Sequence, residues 1–173
     1  MNLGLAVRRN SIRNPNSQAL FGETSMTYEE LDKRSNRIAN LLINTDSSRG
    51  DRVAVLLPNR LEVLELLCGI SKSALVYVGL NFRLGRTEMQ QIFNNCEPSV
   101  VITDTEHLVQ LEDLVGIGNV KLFNIDTEKW ENELNDSGDE CPLILDTIKP
   151  DDDFCIVYTS GTTGKPKGVL FDH

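Results

Sequence analysis

The sequence predicts an α/β fold in which strands and helices alternate and a mainly parallel sheet is flanked by helices. Short, continuous apolar runs bounded by turn residues, such as Val53–Leu57 ended by Pro58–Asn59, read as strands buried on both faces. Between them lie stretches with apolar residues at helical spacing. Their alternation suits crossover connections between parallel neighbours.

Taken in order, Thr27–Tyr28–Glu29–Glu30 forms a capping box, because the threonine hydroxyl can accept a free backbone N–H while the glutamate reaches back. Leu31, Ile38, Ala39, Leu41 and Leu42 then share one face, so a helix is predicted over residues 28–44. Val53–Leu57 is the first core strand, and the apolar stretch from Leu61 to Ser71 a buried helix. Leu75 to Val78 reads as the second strand, with Gly79 as its break. Thr87–Glu88–Met89–Gln90 reads as another capping box, opening a helix that must stop before Pro98. Strands over 99–103 and 120–125 enclose a helix over 106–114, with Gly116–Gly118 as a plain turn. Residues 126–153 form a long surface connection, onto which Trp130 and Leu134, four apart, can pin a short helix. A last strand, residues 154–159, leads into a loop. The organisation is thus an α/β region over 1–125, an acidic connection over 126–153, and a strand with its loop over 154–173.

Composition excludes several classes. At 40% hydrophobic and 25% charged residues, the chain is that of an ordinary globular protein. No apolar run is long enough to cross a bilayer. Leu3–Val7 precedes rather than follows Arg8–Arg9, so no signal peptide is read there. The net charge of −9 sits almost wholly in residues 126–153, a solvated run that disfavours nucleic acid or an anionic membrane as partner. Cys68, Cys96, Cys141 and Cys155 contain no C-x-x-C, and His107 and His173 are far apart. Four reduced cysteines, with Cys68 and Cys155 in apolar segments, point to a cytoplasmic protein.

The chemistry is concentrated in Tyr158–Thr159–Ser160–Gly161–Thr162–Thr163–Gly164–Lys165–Pro166–Lys167–Gly168–Val169. Its glycines let successive N–H groups converge on an anion. The hydroxyls of Thr159, Ser160, Thr162 and Thr163 can meet phosphate oxygens or help to hold a magnesium ion. Lys165 and Lys167 add positive charge, and together these groups suit a polyphosphate. It is not a Walker loop: only two residues separate Gly161 from Gly164–Lys165, and Pro166 follows the lysine.

These twelve positions closely resemble the signature loop of the acyl-adenylate-forming (AMP-dependent synthetase and ligase) superfamily, which includes acyl-CoA synthetases, peptide-synthetase adenylation domains and firefly-type luciferases. The resemblance extends to Met26–Leu42, Asp51–Asn59 and Glu97–Asp104, and Tyr77–Leu84 is similar to fatty-acyl and aryl CoA ligases. The chain departs from the family at Lys72–Ser73–Ala74–Leu75, where Lys-Ala-Gly-Ala is usual, and at Val78–Gly79–Leu80, where Val-Pro-Leu is. Asp172 replaces a usual Thr or Ser before His173.

The resemblance implies the N-terminal part of an acyl-CoA synthetase-like fold, with further domains absent and this chain inactive alone. It implies ATP-dependent activation of a carboxylic acid, a fatty acid in the first instance, to an acyl-adenylate and then a thioester, releasing AMP and pyrophosphate. ATP, Mg²⁺ and coenzyme A are the implied small molecules. Thr159, Ser160, Gly161, Thr162, Thr163, Gly164, Lys165 and Lys167 would bind the phosphates, Thr162 would reach Mg²⁺, and His173 would serve catalysis beside the acyl or phosphate pocket. Two alternatives stand: an adenylation module of a peptide synthetase, and a nucleotide-binding domain without catalysis. Open hydrophobic strands left by missing domains would favour a homodimer.

Overall fold

In the computed structural model, which describes residues 2–22, 25–111, 114, 120–159 and 166–173, a six-stranded sheet has the order β6-β5-β3-β4-β7-β8. Its strands are β3 (Arg52–Leu56), β4 (Val76–Leu80), β5 (Val100–Thr103), β6 (Lys121–Asn124), β7 (Asp153–Thr159) and β8 (Lys167–Asp172). All neighbours pair in parallel except β7 and β8, which form an antiparallel hairpin at one edge.

Helices α2 (Tyr28–Ile43), α3 (Leu61–Lys72) and α5 (Glu128–Asp136) cover one face of the sheet, and α4 (Arg86–Cys96) covers the other. The period of two along β3 explains the division. Val53 and Val55 pack with Ile38, Leu42, Leu66 and Ile70, whereas Ala54 and Leu56 pack with Met89, Ile92 and Phe93. Being covered on both sides, β3 and β5 need an apolar residue at nearly every position. The capping box of α2 is present as expected: Glu30 N–H donates to Thr27 Oγ1 at 3.3 Å, and Thr27 N–H to Glu30 Oε2 at 2.8 Å.

Several elements differ from the expectation. Ahead of residue 28 stand a helix, α1 (Leu3–Arg13), and a two-stranded hairpin of β1 (Gln18–Leu20) and β2 (Met26–Thr27). Asn2 signals α1, its side chain accepting from Leu5 N–H at 2.9 Å. Gly79 does not break β4 but lies within it, in register with Val55; a Cβ there would stand 3.2 Å from the Tyr77 ring, which occupies the space. The cap of α4 is two residues upstream of the expected one. Glu88 accepts from Gly85 N–H at 3.1 Å, so Thr87 falls inside the helix.

Over 106–114 the described residues hold a 3-10 turn, Leu108–Gln110, which follows the capture of His107 N–H by Asp104 Oδ1 at 2.8 Å, and Leu114 is helical. Leu111 and Leu114 are buried; Glu112, Asp113 and the turn expected at Gly116–Gly118 lie outside the described residues. The two buried cysteines are Cys68 and Cys96, while Cys155 is only half-buried on β7, a strand next to the sheet edge. All four are free thiols.

The acidic segment is more than a connection. Trp130 and Leu134 of α5 are buried as expected, and Arg34 of α2 donates to both Glu131 oxygens at 2.7 and 2.8 Å. Asn36 and Asn40 donate to the carbonyls of Asp139 and Gly138. Charge and amides on the outer side of α2 therefore hold this run against the domain.

Inside that contact lies a lysine. Lys72, at the end of α3, is fully buried, and its Nζ reaches Asp32 Oδ1 (2.6 Å), Asn36 Oδ1 (2.7 Å) and the Asp32 carbonyl (3.2 Å). Three acceptors match the three N–H bonds of an ammonium. Burial pushes the Lys72 pKa below its usual value, and the hydrogen bond to Asp32 opposes this. Gly4 of α1 lies directly against it; a Cβ there would stand 2.6 Å from Lys72 Cγ.

Among the described residues, two non-glycine ones have left-handed backbones, Ala74 (φ 59°) and Glu97 (φ 44°). Ala74 is where the family pattern has glycine. Its methyl is buried, so replacement by glycine would relieve strain but lose about 0.8 kcal/mol of burial. Glu97, the exposed C-cap of α4, carries no such offset. Glu97→Gly is expected to raise the unfolding free energy by about 0.5–1 kcal/mol, read from urea midpoints at unchanged slope. No rise would show that the left-handed cap is unstrained.

Candidate functional site

Parallel strands end on a common edge, and in open α/β sheets that edge is where ligands bind. Here it carries the residues after β3 (Asn59, Arg60), after β4 (Asn81, Phe82, Arg83), after β5 (Asp104, His107) and after β6 (Asp126). β7 runs the same way, with Val78 opposite Ile156, so the loop begins beside Asn81–Arg83.

Thr159 and Lys167 are the last cross-strand pair of the β7–β8 hairpin, and both are exposed. The structure thus places a hydroxyl and an ammonium opposite each other at the mouth of the loop. Ser160, Gly161, Thr162, Thr163, Gly164 and Lys165 lie outside the described residues, and with them the expected magnesium ligand. Among the described residues no group of three or more His, Cys, Asp or Glu side chains is arranged to hold a metal ion. No described helix is long and apolar enough to cross a membrane.

His173 is not brought to the loop. β8 runs antiparallel to β7, so Lys167 and Asp172 stand at opposite ends of the strand, roughly 17 Å apart at about 3.4 Å per residue. The His173 imidazole instead packs against Phe154, with ring centroids 5.0 Å apart, and the His173 backbone N–H donates to the Asp152 carbonyl at 3.2 Å. Burial holds its pKa below the usual 6.5, against the pull of Asp152 and Asp172.

The other histidine sits on the strand-end edge. His107 and Asp104 are both buried, with Nδ1 2.7 Å from Asp104 Oδ1, which fixes the ring. Its ring meets that of Phe82 edge-on, with centroids 5.3 Å apart, and the Arg83 guanidinium lies over the Phe82 ring at 5.6 Å. Asp104–x–x–His107 directly after a strand is the sequence signal that reading by separation of the two histidines missed. Arg60 is held by Glu62 at 2.7 and 2.9 Å and by Asp126 at 3.0 Å, and its hydrogen bonds draw the Glu62 carboxyl below its usual range. Asp126 is lowered first by Thr105 N–H and then by Arg60.

Alongside runs an open groove of about 850 Å³ between α3 and the hairpin, lined by Asn59, Val63, Tyr77, Arg83, Phe154 and Val157 among others. Apolar side chains remain uncovered on the hairpin, Val157, Val169, Leu170 and Phe171 being 45–53% exposed.

The family described as AMP-binding enzyme matches residues 7–173. The chain is 36% identical over 166 residues to a feruloyl-CoA synthase of Amycolatopsis sp, covering 95% of this chain and 32% of that protein. It is 31% identical over 179 residues to the long-chain-fatty-acid–CoA ligase FadD13 of Mycobacterium tuberculosis, covering 99% and 35%. Among solved structures, a fatty acyl CoA synthetase of M. tuberculosis superposes with a TM-score of 0.86 at 29% identity, covering 99% of this chain and 34% of that one. The N-terminal domain of FACL13 from the same organism gives 0.87 at 29% identity, covering 99% and 44%. The chain therefore spans about a third of the length of these two curated relatives.

The His173 geometry makes a pH prediction. A histidine whose folded pKa lies below 6.5 binds fewer protons than in the unfolded chain, so its contribution is present above pH 6.5 and is lost as pH falls through the folded value. The thermal midpoint is expected to drop more between pH 7 and pH 5 in the unaltered chain than in His173→Leu. Equal drops would remove His173 as a source of acid sensitivity.

Proposed function

The chain belongs to the AMP-binding enzyme family, and we propose that it supplies the phosphate-binding hairpin of an ATP-dependent, adenylate-forming acid–CoA ligase. The observation that carries this reading is the stem in which Thr159 faces Lys167 at the carboxyl ends of parallel strands. It suits a polyanion held by a hydroxyl, a cation and the intervening glycine-rich backbone.

A carboxylate is a poor electrophile. Its oxygen bonds to the α-phosphorus of ATP while the bond to pyrophosphate breaks, giving a mixed anhydride; a thiol then displaces AMP at the acyl carbon. Little covalent participation by the protein is needed, so positioning and charge stabilisation carry the catalysis. In this reading Thr159, Ser160, Gly161, Thr162, Thr163, Gly164, Lys165 and Lys167 meet the β- and γ-phosphates and the departing pyrophosphate. Mg²⁺ would be held by phosphate oxygens with Thr162, and would supply charge neutralisation there. His173 packs on Phe154 at the base of the hairpin, and the role in catalysis that the resemblance implies for it belongs to this reading of the longer enzyme. The chain spans about a third of the length of these curated relatives, and by itself it is read as inactive.

Asn81–Phe82–Arg83–Leu84 favours a fatty or aryl acid with coenzyme A as acceptor, in line with the feruloyl and long-chain relatives. A second reading, a module that loads a carrier domain, is supported by 35% identity over 154 residues to the PKS-NRPS hybrid synthetase acdB of Aspergillus candidus.

Replacing Thr162, Thr163 and Gly164 together, in a longer protein that carries this segment, is expected to lower carboxylate-dependent ATP–pyrophosphate exchange by at least about 100-fold. Losing one such donor costs about 2.7–4 kcal/mol at the transition state. Thioester formation from supplied acyl-adenylate should stay largely intact, because no pyrophosphate remains when the thiol attacks. Equal loss of both half-reactions in a folded variant would separate this loop from pyrophosphate.

A further inference from the structure

Tyr158 stands one residue before Thr159, and its cross-strand partner is Gly168. A Cβ at position 168 would lie 2.9 Å from Ile156 Cγ2 and 3.1 Å from Tyr158 Cζ. The tyrosine ring therefore lies across β8 in space that only glycine leaves open. At its far end the hydroxyl donates to Asn95 Oδ1 at 2.5 Å. Burial pushes the phenol up to about 12, so it remains a donor throughout the neutral range.

Asn95 belongs to the last turn of α4, and that turn is itself fixed. Phe93 and Cys96 are buried, and Arg52 donates to the Cys96 carbonyl at 2.6 Å and to the Glu97 carbonyl at 3.0 Å. Asn95 also lines, with Gln91, Asn94 and Pro166, a recess of about 380 Å³ between α4 and the far arm of the hairpin. One helix end thus reaches both arms of the stem, through Tyr158 before the loop and beside Pro166 after it.

We propose that Asn95 is a positioning residue for the phosphate-binding hairpin, acting through the Tyr158 hydroxyl to set the strand end that holds Thr159 across from Lys167. The inference rests on the phosphate-binding reading above and extends it to a residue on a different element. In this role Asn95 acts through Tyr158 and not on phosphate itself. It is exposed, and its loss should leave global stability nearly unchanged, since surface substitutions of this kind usually stay within about 0.5 kcal/mol.

The test is the affinity of the 173-residue chain for magnesium pyrophosphate, by titration calorimetry, alongside the thermal midpoint. Asn95→Ala and Tyr158→Phe are each expected to weaken binding about fivefold, the net worth of one hydrogen bond. The double variant should lose no more than either single one, and Asn95→Asp, which keeps the acceptor, should stay within about twofold of the unaltered chain. Midpoints should hardly move. Unchanged affinity in the single variants, losses that multiply in the double variant, or failure of Asn95→Asp to rescue would each overturn the proposal. If the unaltered chain binds no pyrophosphate, the phosphate-binding reading itself falls, and this inference with it.

Discussion

A single ammonium group organises the helical side of this protein. Lys72 is fully buried, and every N–H of its side chain has an acceptor on α2. Such an arrangement adds little net stability over an apolar core, but removing one partner leaves a buried charge, at a cost of about 3–5 kcal/mol. Its value is in geometry. The same Asn36 that accepts from Lys72 donates to the Asp139 carbonyl, so the register of α2 on α3 also fixes the acidic run. Gly4 allows α1 to close over the lysine stem. The sheet face that rests on these helices is the one that sets β3 and β4, and so the level at which β7 joins.

From there the chemistry follows from direction. Five parallel strands bring to one edge residues that are distant in sequence, and each strand end is braced by its neighbour. His107 supports Phe82, Asp126 and Glu62 hold Arg60, and Tyr158 leans on Asn95. The hairpin closes the series with a hydroxyl opposite a cation. A polyphosphate needs donors aimed at it before it arrives, because reorienting them during reaction would forfeit much of their effect. Rigid strand ends meet that requirement better than a free loop does.

Local signals proved legible in sequence, and tertiary ones did not. The Thr27–Glu30 box and the apolar run of β3 depend on neighbours within a few residues, and both stand where expected. The loop was recognisable because the order of its residues, more than its composition, is distinctive. Gly79 reads as a break in the sequence, because the ring that fills its space belongs to Tyr77 and is placed only once β4 is in the sheet. The α4 cap was displaced because Glu88 found Gly85 rather than Thr87 as the start of the turn. The role of His173 is implied by resemblance, whereas its packing on Phe154 at the far end of β8 is a contact that no local pattern announces. The Lys72–Asp32 and Tyr158–Asn95 contacts join residues that no local pattern links.

The order of the strands also has a kinetic meaning. β3, β4 and β5 follow one another with single helices between them, whereas β7 must find β4 after about 80 intervening residues, and non-local pairings of that kind form late. Only two cross-strand pairs, Tyr77–Cys155 and Val78–Ile156, join it to β4, against five between β3 and β4. Local opening is therefore expected to begin at this hairpin, on the edge of the sheet, at a lower free energy than global unfolding. Amide exchange along β7 and β8 would report that partial opening, while exchange in β3 would report the unfolding of the whole domain.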